Sequence, residues 1–108
     1  MHNRELNALQ FFQITVRHHE NATPTYTIKW SPTLATGVTV SNSTWSTEDS
    51  NLTISNQAND TDTASARFTA SSPGQYRAVD TITDSSGNKD ERWLDLIFKE
   101  AYKAYDYD

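Results

Sequence analysis

The chain has 108 residues and a net charge of −5, enough for one domain with a modest core. No basic stripe is present to neutralise phosphates, which argues against nucleic acid and against an anionic membrane surface. Cysteine is absent, so neither a disulfide scaffold nor a thiol nucleophile is available.

Ser and Thr make up about a quarter of the chain, and Thr suits a pleated sheet because its branched Cβ is stiff. Four N-x-Ser/Thr sequons, at Asn21, Asn42, Asn51 and Asn59, follow from that composition. The N-terminus lacks the apolar run and small-residue cleavage site of a signal peptide. No stretch approaches the length of a membrane span. The expectation is a protein made in a cytosol, with incidental sequons.

Residues 1–23 read as an arm whose structure depends on what it packs against. Phe12, Ile14 and Val16 alternate at period two, as in a strand, while Leu6, Leu9 and Phe12 would also fit one face of a short helix. Next comes "HHE". His18 and His19 are adjacent, so on an extended chain they point apart and cannot share one ion. With Glu20 they read as solvated loop residues.

From Thr25 the alternation is regular. "TYTIKW" sends Tyr26, Ile28 and Trp30 to one side, and "VTV", "STWST" and "NLTIS" supply further short strands. "TASARFTA" places Ala64, Ala66, Phe68 and Ala70 inward, leaving room for Trp30 and Trp45 from the facing sheet. After the "SSPG" turn, "QYRAVDTIT" and "DERWLDLIF" form a pair joined by "DSSGN". Asp80 is anomalous, because its parity matches inward Tyr76 and Ile82. It predicts a bulge or a hydrogen-bonded carboxyl. Trp93 has the opposite parity from Leu94 and Leu96, so it is placed on a surface, facing the arm or a partner. The last ten residues change to "KEAYKAYDYD", with Tyr102 and Tyr105 on one face of a possible helical turn.

This makes an all-β, immunoglobulin-like β-sandwich of about seven antiparallel strands. It spans residues 24–98, with the arm at 1–23 and a C-terminal acidic/tyrosine tail at 99–108. No catalytic constellation, phosphate loop or cofactor motif is visible. Asp60 with Asp62, and Asp84 with Asp90, could begin a calcium loop, yet the glycine and glutamate of an EF-hand are missing. No metal or cofactor is expected, and the protein is read as no enzyme.

"SSPGQYRAV" resembles the G-x-Y corner of immunoglobulin-like domains, with Tyr76 bonding back to the preceding turn and Ala78 where a cysteine often stands. More widely, "YTIKWSPTLATGVTVSNSTW" and "PGQYRAVDTITDSSGNKDERWLDLIF" resemble small immunoglobulin-like structural proteins of bacteriophages, over residues 26–98. Tyr26, Ile28, Trp30, Gly37, Val40, Ser43, Trp45, Gly74, Tyr76, Ile82, Thr83, Gly87 and Arg92 fit that pattern. The Gly-Gly many relatives carry before the corner is absent. The resemblance implies a non-enzymatic virion structural protein, made in the host bacterial cytoplasm and present as a homo-oligomer or repeated copies. Its first expected role is capsid cement or decoration, with the major capsid protein or other virion subunits as partners. The alternatives are a head–tail connector or tail-fibre adaptor, and then a carbohydrate- or receptor-binding module. Neither nucleic acid nor membrane is an expected partner. Contacts are expected through Phe11, Phe12, Ile14, Val16, Trp93, Tyr102, Tyr105 and Tyr107. Deleting residues 1–20 should then leave a folded monomer that no longer joins particles.

Overall fold

The computed structural model describes residues 3–100. Eight strands form two four-stranded sheets packed face to face. One sheet has the order β1 (Asn3–Asn7), β3 (Thr25–Lys29), β6 (Thr63–Ala70), β5 (Leu52–Asn59). The other has β2 (Gln13–His19), β8 (Lys89–Lys99), β7 (Gly74–Asp84), β4 (Val40–Ser46). The expected immunoglobulin-like sandwich is present.

Its N-terminal segment differs from expectation. Rather than projecting as an arm, it gives one strand to each sheet and packs against the sandwich itself. β1 runs parallel to β3, and β2 runs parallel to β8 through seven consecutive residue pairs. The sheets are therefore mixed rather than wholly antiparallel. The physical reason is burial: Leu6, Ala8 and Val16 close one flank of the core. Arg92 pins this entry, its Nε donating to the Ala8 carbonyl at 2.9 Å.

Inward parity explains the centre. β6 alternates perfectly, with Ala64, Ala66, Phe68 and Ala70 buried. Trp30 and Trp45 are core residues as expected, but only Trp45 comes from the facing sheet, meeting the Phe68 ring edge-on at 5.2 Å, whereas Trp30 directly follows β3, the neighbour of β6 in its own sheet. Small alanines beside bulky rings fill this space to interior density. Ala66→Leu is accordingly expected to overpack the site and cost about 1–3 kcal/mol. A thermal melt indistinguishable from the parent's would refute that packing.

Val40 and Trp45 are both buried although five residues apart, which an unbroken strand forbids. A register shift between Val40 and Asn42 resets the alternation. "VTV" and "STWST" are thus one strand with a bulge instead of two strands. β5 has a second irregularity between Ser55 and Ala58, where Asn56 takes φ 51°.

The corner expected at Tyr76 is formed. Its hydroxyl donates to the Ser72 carbonyl at 2.6 Å. Gly74 is required there: its φ is 156°, and an added Cβ would stand 3.0 Å from the Tyr76 hydroxyl. Gly74→Ala should cost about 1–3 kcal/mol in strain. Chemical unfolding checks this, and an unchanged midpoint with Tyr76 still anchored would contradict it. In the "DSSGN" turn, Asp84 Oδ1 accepts from the Ser86 and Asn88 amides, both at 2.9 Å, and Gly87 adopts φ 89°. Asp84 is thus a turn-forming residue.

One lateral seam is closed by a side chain. Gln57 of β5 offers Oε1 to the Trp45 amide at 3.0 Å, and its Nε2 donates to the Trp45 carbonyl at 3.2 Å. The amide imitates a neighbouring strand and occupies that part of the β4 edge.

Candidate interaction surface

The outer face of the β2–β8–β7–β4 sheet carries an unusual ordered stack. Opposed residues across β2, β8 and β7 bring Gln13 beside Trp93, and Asp95 beside Arg77. Asp95 is only 3% exposed although it faces outward, because its neighbours cover it. Its carboxylate accepts from Arg77 Nε at 2.8 Å, Arg77 Nη2 at 3.2 Å and Gln13 Nε2 at 2.6 Å. Arg77 therefore holds the Asp95 carboxyl below its ordinary pKa, against the opposing pull of burial, with Gln13 assisting. Asp95 in turn raises the already high pKa of Arg77.

Trp93 lies at the middle of this stack. The Arg77 guanidinium lies over its ring at 4.6 Å, and the Phe12 ring leans on it at 5.1 Å. The Phe12 carbonyl accepts from the Trp93 amide at 2.9 Å, which fixes the β1–β2 connection to β8. Phe12 remains 53% exposed and nearby Leu9 66%. These are the exposed large hydrophobics among the described residues.

Beside the stack runs a groove of about 660 Å³, lined by Arg77, Trp93, Asp95, Glu91 and the turn after β4. That turn is clamped where β4 stops. Thr47 Oγ1 donates to the Arg77 carbonyl at 2.7 Å, and Asp49 Oδ2 accepts the Arg77 amide at 2.8 Å. Two side chains thus continue the pairing of β7 and hold the groove wall in place.

The expected contact residues are only partly gathered here. Phe12 and Trp93 meet at the surface. Phe11 and Ile14 are half-buried against the core, and Val16 is inside it. Val16 is therefore corrected from contact residue to core residue: it points between the sheets. Tyr102, Tyr105 and Tyr107, and the helical turn read near them, lie outside the described residues. His18 and His19 do point to opposite sides, but at the end of a strand rather than in a solvated loop. His18 Nε2 bonds to the Tyr26 hydroxyl at 2.7 Å across the sandwich, while His19 is exposed. Sequence reading missed Gln13, Arg77 and Asp95. The available signal was a pair of opposite charges at outward positions of neighbouring strands.

Asp80 is fully buried between the sheets. Trp30 Nε1 donates to its Oδ2 at 3.0 Å, and Ser43 Oγ donates to its Oδ1 at 2.6 Å. Burial raises its pKa from 3.8 to about 6, and the two donors only partly counter it. Asp80 ties β7 to β4 and to the end of β3, a structural task away from solvent.

Among the described residues, no group of three or more His, Cys, Asp or Glu side chains could hold a metal ion. None of the helices there is long and apolar enough to cross a membrane. What the surface offers is aromatic and charged contact area, the chemistry of protein association.

The comparisons fit an all-β structural module. The chain resembles the cysteine protease inhibitor EhICP2 from Entamoeba histolytica, with TM-score 0.60 and 8% identity over 91% of this chain and 96% of that one. It also resembles the PKD domain from the KIAA 1837 protein, with TM-score 0.54 and 16% identity over 90% of this chain and 87% of that one. At these identities the likeness concerns the fold alone. No curated protein matches the sequence. Residues 19–96 match the family described as podophage GP4 fiber-tail adaptor protein gp77. That span exceeds half of the chain, so the protein belongs to this family and is a phage virion structural protein.

Proposed function

We propose that this protein is a non-enzymatic tail-fibre adaptor, joining fibres to the tail of a podophage particle through protein–protein contacts. The observation that carries the reading is the family match, which runs from the end of β2 to Leu96 of β8. The connector-side alternative thereby displaces capsid cement as the preferred role, since the family is named for the tail and nothing comparable favours the shell. Its partners are other virion subunits, in repeated copies set by the symmetry of the tail.

The surface suits that task. Trp, Arg and aromatic residues dominate the energetics of protein interfaces, and Phe12, Trp93 and Arg77 stand stacked at the surface. In this reading Phe12 and Trp93 anchor one partner, and Tyr102, Tyr105 and Tyr107 reach another. A carbohydrate-binding role is less favoured: Trp30 and Trp45 are in the core, which leaves no cluster of exposed indoles.

Phage lacking the protein should assemble DNA-filled heads with tails but without fibres, as seen by electron microscopy. Fully fibred particles, or a protein spread over the shell in hundreds of copies, would overturn the assignment.

A further inference from the structure

We infer that the groove beside Trp93 receives an extended, Lys- or Arg-bearing segment of a partner virion subunit. The inference rests on the adaptor reading and names the chemistry of one of its contacts. Charge decides the occupant. Four carboxylates line the groove, those of Glu48, Asp49, Glu91 and Asp95, against one guanidinium, that of Arg77. Arg77 is already paired with Asp95 at 2.8 Å and also acts on Asp49 through space, which leaves Glu48 and Glu91 beyond its reach as a partner. Asp49 gives one oxygen to a neutral backbone amide. Glu48 and Glu91 have no hydrogen-bond or ion-pair partner for their carboxylates among the described residues. The groove therefore presents unmatched negative charge beside an indole whose face Arg77 already takes, and a cation on an aliphatic stem meets the charge while its stem packs on the apolar lining from Val79 and Trp93.

The site is also pre-formed. Thr47 and Asp49 hold its wall to the backbone of Arg77, and the Asp95 ion pair fixes its floor, so little ordering remains to oppose binding. A sugar fits less well. Pyranose recognition needs an open indole face, yet Arg77 covers Trp93 at 4.6 Å and Phe12 leans on it at 5.1 Å. An acidic or phosphorylated segment would meet like charge.

The test uses the full chain with nitrogen-15 labelling and a short extended peptide alternating Lys and Ser. The Trp93 indole N–H signal should shift on titration, while those of Trp30 and Trp45 stay still as internal controls. Affinity should fall as salt rises, and it should drop at least about tenfold in the surface variant E48K/E91K. A Glu–Ser peptide or a neutral oligosaccharide that moves Trp93 equally overturns the inference. So does a Lys–Ser peptide that leaves Trp93 unmoved. On particles, E48K/E91K protein should retain its tail site but lose fibres, or lose the tail and retain fibre affinity. Both contacts surviving also overturns the inference. Loss of the adaptor reading would show separately, as normal fibres on phage lacking the protein altogether.

Discussion

Removing residues 1–20 is expected to abolish cooperative folding of the domain. The truncation takes all of β1 and β2, and with them one edge strand of each sheet. Leu6, Ala8 and Val16, all at most 6% exposed, leave the core. Burying Leu6 and Val16 is worth about 1.5–3 kcal/mol each, and two ladders of backbone bonds are lost with them. Domains of this size are stable by roughly 5–15 kcal/mol in total, so losses on this scale consume the margin. The flank of the core that includes Ile28, Leu94 and Leu96 would face water. Circular dichroism with urea titration provides the check: a broad, non-cooperative transition is expected for residues 21–108. A sharp transition near that of the intact chain would show that the two strands are accessory after all. The expectation drawn from sequence is thus reversed, because the segment belongs to the sandwich. A loss of particle binding in this truncation would report unfolding, so docking needs a surface change such as Phe12→Ser.

The second large effect centres on Asp80. Its folded pKa of about 6 lies above the unfolded value of 3.8, so the native state binds its proton more tightly than the unfolded state does. The resulting stability is fully present below about pH 4 and is lost as pH rises towards 6. A shift of about two units corresponds to about 3 kcal/mol. Asp95 acts in the opposite sense. Its pKa is lowered, so its contribution is present above the ordinary Asp value and disappears as pH falls below it. The interval from about pH 4 to 6 therefore belongs mainly to Asp80. Asp80→Asn keeps an oxygen to accept from Trp30 and presents an amide to Ser43 Oγ. It should flatten the decline across that interval and leave the variant at least as stable as the parent at neutral pH. Asp80→Ala should instead lose about 2–4 kcal/mol, because a buried indole N–H and a hydroxyl are left without their acceptor. Thermal midpoints measured between pH 4 and 7 decide the matter. Parallel profiles for parent and Asp80→Asn would falsify the assignment.

Much of the sandwich is legible in the chain because alternation is a local signal. The run from Tyr26 to Trp30, the alanines of β6 and the inward parity of Leu94 and Leu96 translate directly into buried faces. The odd parity of Asp80 correctly marked a carboxyl inside the sheet. Non-local pairing is less legible. Phe12, Ile14 and Val16 declared a strand, but nothing in their spacing says that it joins β8 in parallel, some eighty residues away. The bulge at Val40–Asn42 is hidden for a related reason: a one-residue insertion looks in sequence like two short strands. The candidate site was half visible. Trp93 stood out by parity, whereas the Arg77–Asp95 pair needed the register of β7 and β8 before its members could be seen as neighbours. The turn clamped by Thr47 and Asp49 exists only once β4 ends beside Arg77.

The Gln57 clasp on Trp45 bears on how large an assembly built from this molecule can become. Endless lateral growth requires two available margins on a sheet. Here each sheet has one of its margins at the flank where β4 and β5 meet, and Gln57 covers the β4 margin at Trp45. A strand of another copy cannot pair with β4 at Trp45 without displacing that amide. Neighbouring copies are thereby discouraged from joining edge to edge through β4.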